Sequence, residues 1–226
     1  MADFQGFPRE TLTFLGGLAL HNDRDWFEAH RADYEAHYLA PARAFVVTMG
    51  EALKALAPEV RAAPKVNGAI RRINRDTRFS ADKTPYKTHM DLMFMDTPGP
   101  KQPGSGFMMR IFPDRLMLGV GIYSFDKALQ GRYRARVLTH GDSLAAARAA
   151  AVAAGYSLAE PELKRVPRGF DAEHPRAGLL KHKSMHAGLD GDIPEAFHSA
   201  DYVEFCMGHF RALKPMHDWL SEMARS

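Results

Sequence analysis

The sequence predicts an α+β fold, a central antiparallel sheet flanked along the chain by N-terminal and C-terminal helices. Three observations carry that reading. Apolar residues recur at helical spacing through the first sixty residues and again from Pro194 to the end. Between them, Met90 to Met95 alternates in polarity, and two β-rich runs face each other across Pro113-Asp114-Arg115. No internal repeat, low-complexity tract or linker interrupts the chain. Residues 1–226 are therefore expected to form a single domain.

The elements follow in order. Pro8 suits a first helical turn, and Thr11 to Leu20 carries an apolar face. Asn22 is the expected N-cap of a second helix, with Asp23 and Asp25 at its positive end. Trp26, His30, Tyr34 and Tyr38 fall four apart and form an aromatic stripe. Pro41 is expected to break or kink this helix before Phe45, Met49, Leu53 and Leu56 give the next apolar face. After a loop at 98–104, Gly106–Phe112 and Leu116–Tyr123 read as a hairpin. Gly119 and Gly121 share one face of it, where missing side chains leave room for a close neighbour or a ligand. Two helices are expected at Asp126–Leu138 and Ser143–Ala154, the second ended by Gly155. A short strand is expected near Leu179–Met185, and Pro215 is expected to start a last helical segment.

Composition narrows the class. At 226 residues, 46% apolar and 25% charged, the chain has the profile of an ordinary soluble globular protein that needs no disulfide or metal to hold its core. Cys206 is the only cysteine, in an apolar helical context, and reads as a buried inert thiol; a cytoplasmic location is expected. The N-terminus lacks the pattern of a signal peptide, and no run approaches the length of a membrane span, so no membrane association is expected. The net charge of +3 is unevenly spread. Residues 65–89 hold seven Lys/Arg against Asp76 and Asp82, a net of +5, which leaves about −2 elsewhere. One local site is the natural inference.

The stretch Arg71–His89 holds six cations, two carboxylates, Phe79 and Tyr86. Arginine forks grip phosphate or carboxylate, and lysine adds point charge. Arg72, Arg75, Arg78, Lys83 and Lys87 are the candidate ligands for a small anion bearing phosphate or carboxylate. Asp76 would orient an arginine or act as base, Tyr86 would donate a proton or hydrogen bond, and Lys83 is a third catalytic candidate. Trp26 is expected to wall the pocket. The competing reading is an internal network in which Asp76 and Asp82 neutralise arginines and tie the loop down. Two carboxylates leave four of the six cations without a local partner, which favours the pocket. A second basic loop, Lys164-Arg165 to Lys181-x-Lys183, could supply a far wall through Arg165 and Lys181.

Other chemistries fit less well. Ser80-x-x-Lys83 matches a nucleophile motif of penicillin-binding enzymes, but its companion motifs are absent. His182 and His186 stand four apart without the glutamate of a zinc-peptidase helix, and no histidine group has clean metal-ligand spacing. Gly-rich phosphate loops are absent, so a dinucleotide-binding or NTPase fold is not expected, and no cofactor is expected. Phe79 and Tyr86 interleave with cations as in single-strand nucleic-acid binders, but no recognition motif accompanies them. A non-catalytic module for an acidic partner or nucleic acid stays open as the rival class. Oligomeric state is not readable.

The residues also carry a resemblance. Arg72-Ile73-x-Arg75-Asp76-x-Arg78-Phe79-Ser80-x-Asp82-Lys83-x-Pro85-Tyr86-Lys87 resembles the hallmark of the bacterial and fungal family called domain of unknown function 2461. Asn22 with Trp26-Phe27, Gly119-x-Gly121, Lys164-Arg165-x-Pro167-x-Gly169-Phe170 and Leu180-Lys181-x-Lys183 are similar to its other motifs, in order. Arg71 departs from it, standing where an aromatic is expected, and so does His21, where a second Asn is common. The resemblance implies a single α+β domain, assigns no activity, and points to polar residues from several segments sharing a pocket.

Overall fold

The structure, a computed structural model, describes residues 4–96 and 104–226. All but the last residue of the loop expected at 98–104 lies outside them. Helices α1 (Arg9–Leu20), α2 (Arg24–Ala29) and α3 (Arg31–Asp33) lead into a π-helical turn, Tyr34–Leu39, and then α4 (Ala40–Leu56). Strands β1 (Val60–Arg61), β2 (Met90–Asp96), β3 (Gly106–Ile111) and β4 (Arg115–Ile122) precede α5 (Lys127–Ala153). Strands β5 (Ser157–Leu158) and β6 (Met185–Asp192) and helix α6 (Tyr202–Arg225) complete the chain. The six strands form one antiparallel sheet in the order β1-β2-β3-β4-β6-β5, with helices before and after it in sequence. The fold is therefore α+β. Among the described residues no helix is long and apolar enough to cross a membrane.

The chain divides into two compact units. One comprises the residues through Phe94 with Met108–Leu118 and Asp190–Gly208; the other comprises Met95–Phe107, Gly119–Leu189 and His209–Ser226. In the first, α1 buries Phe14, Leu15 and Leu18 on one face, as its spacing requires. Phe4, Phe7, Phe45 and Tyr202 meet edge-on or tilted at centroid distances of 5.0–5.9 Å, which suits aromatic quadrupoles. In the second, Phe107 lies 4.7 Å from Phe210 and 4.6 Å from His217.

Several expectations are corrected. Asp23, not Asn22, caps α2, accepting from the Trp26 backbone N–H at 2.8 Å. Asn22 does something sequence patterns do not show. Its side-chain amide donates to Tyr86 O at 2.9 Å and accepts from Tyr86 N–H at 3.0 Å, pairing with backbone as a strand would. Pro41 does not break the helix: it sits in the first turn of α4, where its missing N–H costs nothing. Pro215 likewise lies inside α6. One expectation here holds: α5 consists of the two helices expected at 126–154, meeting at a kink where His140 leaves helical geometry (φ −130°, ψ 23°). The Trp219 indole N–H donates to the His140 carbonyl at 2.9 Å. The strand expected at 179–185 is a 3-10 turn, Leu179–Lys181, and the strand starts only at Met185.

The Asn22 clasp gives a test. Asn22→Ala leaves two half-buried backbone groups of Tyr86 without their partner. It is expected to cost about 1–3 kcal/mol, read as a lower urea midpoint at unchanged slope.

Candidate functional site

The basic motif folds as an extended arm, a loop and a return arm. Ile70 pairs antiparallel with Leu92 and Asn74 with Tyr86. Lys87 N–H donates to Ile73 O, and Arg75 N–H to Pro85 O, both at 2.8 Å. The intervening loop is closed by its own charges. Arg75 Nη1 donates to Asp82 Oδ2 at 2.5 Å, to Thr84 O at 3.1 Å and to the Thr84 hydroxyl. Arg78 grips Asp76 with Nε at 2.9 Å and Nη2 at 2.7 Å. Lys83 Nζ donates to Thr77 O at 2.9 Å. Each of these cations therefore has its own acceptor.

Lys87 finds a carboxylate outside the counted segment. Asp91, nearly fully buried, accepts from Lys87 Nζ at 3.0 Å and from Arg110 Nε at 2.6 Å, with His89 Nε2 at 3.4 Å. Burial opposes its ionisation, but these basic neighbours prevail and hold the carboxyl far below its ordinary range. The expectation of four unpartnered cations is thus corrected. It counted carboxylates within the segment and omitted Asp91 and the backbone carbonyls.

The catalytic candidates are each held in place by the motif's own contacts, and Asp76 orients an arginine, Arg78. Bonds from Arg78 hold Asp76 below the ordinary carboxylate range, which makes it a weaker base. Tyr86 is 5% exposed and stacks on Phe27 at 4.3 Å, fastening the return arm to α2. Lys83 staples the loop. Arg72 is exposed and acts on Asp76 through space. Trp26 stacks on His30 at 4.0 Å and lines a cavity whose lining contains none of the predicted cations. Arg165 and Lys181 belong to the second unit. Arg165 is exposed, and the Lys181 carbonyl accepts from Leu163 N–H at 3.0 Å.

The second unit holds the better-built site. A cavity of about 300 Å³ opens between the C-terminal half of α5 and the turn before His182. Its walls include Ala145, Pro161, Pro175 and Leu179, and its charge comes from Arg148 and Arg176. Arg176 is paired with Asp142. Arg148 is not paired with any carboxylate among the described residues. Its Nη1 donates to Met185 Sδ at 3.1 Å, a weak acceptor, which leaves most of its donors unused. Burial lowers its pKa, so the guanidinium sits in a medium where its charge acts strongly.

Beside it, His182 is 2% exposed and its Nδ1 has no partner. Burial, then the nearby Arg148, lowers its pKa to about 4. Neighbouring polar groups are committed. Tyr133 donates its hydroxyl to Leu179 O at 3.0 Å. Glu162 accepts from Lys183 N–H at 2.7 Å and Ser184 Oγ at 2.5 Å; burial pushes its pKa up, but these bonds outweigh burial and leave it lowered. The cavity lining carries no carboxylate, so its charge is positive. A guanidinium with no carboxylate in contact, Glu160 acting on it only through space, and an imidazole with an orphaned Nδ1 on one concave surface are suited to an anion.

Sequence reading missed Arg148, although a signal was present. It is the only charge between Asp142 and Glu160, in a stretch, residues 144–154, otherwise built of alanine, leucine and valine. A lone arginine there is not explained by solubility. His182 was considered only as half of a metal pair with His186, which instead stacks on Tyr123 at 4.4 Å.

Comparison with known proteins adds one finding. No curated protein and no solved structure matches the chain. A family model described as Conserved hypothetical protein (DUF2461) matches residues 10–219. With nearly the whole length covered by that one model, the chain belongs to the DUF2461 family of conserved hypothetical proteins.

Proposed function

We propose that the chain is a cytoplasmic protein that binds a small anionic metabolite, bearing phosphate or carboxylate, in the cavity of its second unit. Arg148 is the principal anion ligand. His182 is a proton-linked partner: a bound anion favours its charged form, so binding tightens as pH falls below neutral. The volume suits a metabolite at the small end of the range for ligand pockets. The observation that carries the reading is the half-buried Arg148 with no carboxylate in contact, beside a buried His182 whose Nδ1 has no hydrogen-bond partner. The basic loop at 75–84 fits a structural role better, because Arg75, Arg78 and Lys83 spend their donors on the loop itself.

Thermal shift and calorimetry with phosphate, sulfate and acetate test this. At a hundredfold excess over Kd, a ligand of the folded state adds about 2.7 kcal/mol of stability. Wild type and Arg75→Ala are expected to gain alike with at least one of these anions, while Arg148→Met loses the gain. Binding is expected to strengthen from pH 7.5 towards 5.5. An equal gain in Arg148→Met, or no gain with any of the three anions, overturns the proposal.

A further inference from the structure

The first unit holds a second cavity of opposite character. It encloses about 350 Å³ between α1, α2 and the π-helical turn. Phe14 and the stacked Trp26–His30 pair form its apolar wall. Its charged lining residues are Glu10 and Asp33, both exposed carboxylates, and no lysine or arginine joins them. The neighbouring Arg31 is committed elsewhere, to Glu28 at 2.9 Å. His37 completes the lining from the π-helical turn.

Two local features build this space. Gly17 on α1 lets the indole approach: a Cβ there would lie 2.7 Å from Trp26 Cζ2. The π-helical turn widens the backbone opposite, and the buried Thr11 hydroxyl bonds the His37 carbonyl at 2.5 Å. Such turns carry a helical cost and recur where a helix serves a site.

We infer that this cavity binds an organic monocation with apolar surface, a methylated ammonium or an arylalkyl amine. Aromatic walls attract such cations through the ring quadrupole, and their methyl or aryl groups replace water on the half-buried Trp26–His30 stack. Glu10 and Asp33 supply the counter-charge. A metal ion fits less well, because among the described residues no group of three or more His, Cys, Asp or Glu could hold one. The inference is independent of the anion cavity and uses none of its residues.

The probe is benzyltrimethylammonium, with benzyl alcohol as its uncharged counterpart, followed by tryptophan emission and calorimetry. Trp26 is half-buried and Trp219 is 4% exposed, so a saturable change in emission reports on Trp26. The cation is expected to bind saturably. The double variant Glu10→Gln with Asp33→Asn is expected to weaken it about tenfold, since two exposed charges contribute about 1.4 kcal/mol together. Both residues are exposed, so the variant keeps the fold, checked by circular dichroism. Gly17→Val, which thrusts methyl groups at the indole, is expected to abolish binding. The idea is overturned if benzyl alcohol binds as tightly as the cation, if the double variant binds unchanged, or if zinc alone gives the response.

Discussion

Gly121→Ala is expected to destabilise the protein by about 4 kcal/mol or more, the sum of a positive-φ penalty and an overpacking penalty. Gly121 has φ +142°, a conformation that side-chain-bearing residues avoid. A Cβ there would lie 2.3 Å from Met185 O and 2.5 Å from His186 Cα. Both are backbone atoms of the neighbouring strand, so no rotamer change relieves the clash. The control is Gly131→Ala in α5, where an added Cβ meets nothing within 4 Å. That change is expected to stabilise by about 0.5–1 kcal/mol through helix propensity. Urea denaturation of the pair decides it; a Gly121→Ala protein within about 1 kcal/mol of wild type, an ordinary surface-like effect, would contradict the strand geometry.

Acid is expected to remove stability in two separate windows. His182 and His217 are each 2% exposed, and burial lowers both to about 4. The unfolded chain takes up protons as pH falls through 6.5, while the folded chain resists until about 4. Over that interval the unfolded state holds more protons, so stability falls with pH, by about 3 kcal/mol for each imidazole. Asp91 acts lower down. Its folded pKa is depressed, so its contribution is intact above the ordinary carboxylate value and is lost only below it. His217 hydrogen-bonds Ser105 Oγ at 3.0 Å and approaches Ser221 Oγ at 3.4 Å. His217→Gln is expected to start less stable but to lose about 3 kcal/mol less between pH 7 and 4. A wild-type profile flat across that interval would refute the buried neutral imidazoles.

What could be read in the chain was periodic, and what escaped reading was long-range. β2 and the β3–β4 hairpin announce themselves because Met90, Leu92 and Phe94 on one face alternate with Asp91, Met93 and Met95 on the other and Pro113-Asp114 marks the turn. Gly119 and Gly121 were legible as places of close approach, and the approaching group is the β6 backbone. β6 itself was not legible, since Gly188, Asp190, Gly191 and Asp192 have poor strand propensity and owe their conformation to a neighbour. The motif loop was visible as an ordered basic segment. Its electrostatics were not, because Asp91 and Arg110 are neighbours only after the sheet forms. Arg148 and His182 lie 34 positions apart, and the turn at Leu179–Lys181 that places His182 on the cavity had no periodic signal of its own.

The solitary thiol turns the first unit into a clock. Cys206 is 0% exposed, and burial raises its pKa, so neither access nor thiolate is on offer in the closed structure. A thiol reagent can therefore react only through molecules in which the start of α6 has lifted. The rate at low reagent measures how often that helix lifts and for what fraction of the time. The rate at high reagent measures how fast it lifts. One natural atom thus times the breathing of this unit, with no label engineered into the chain.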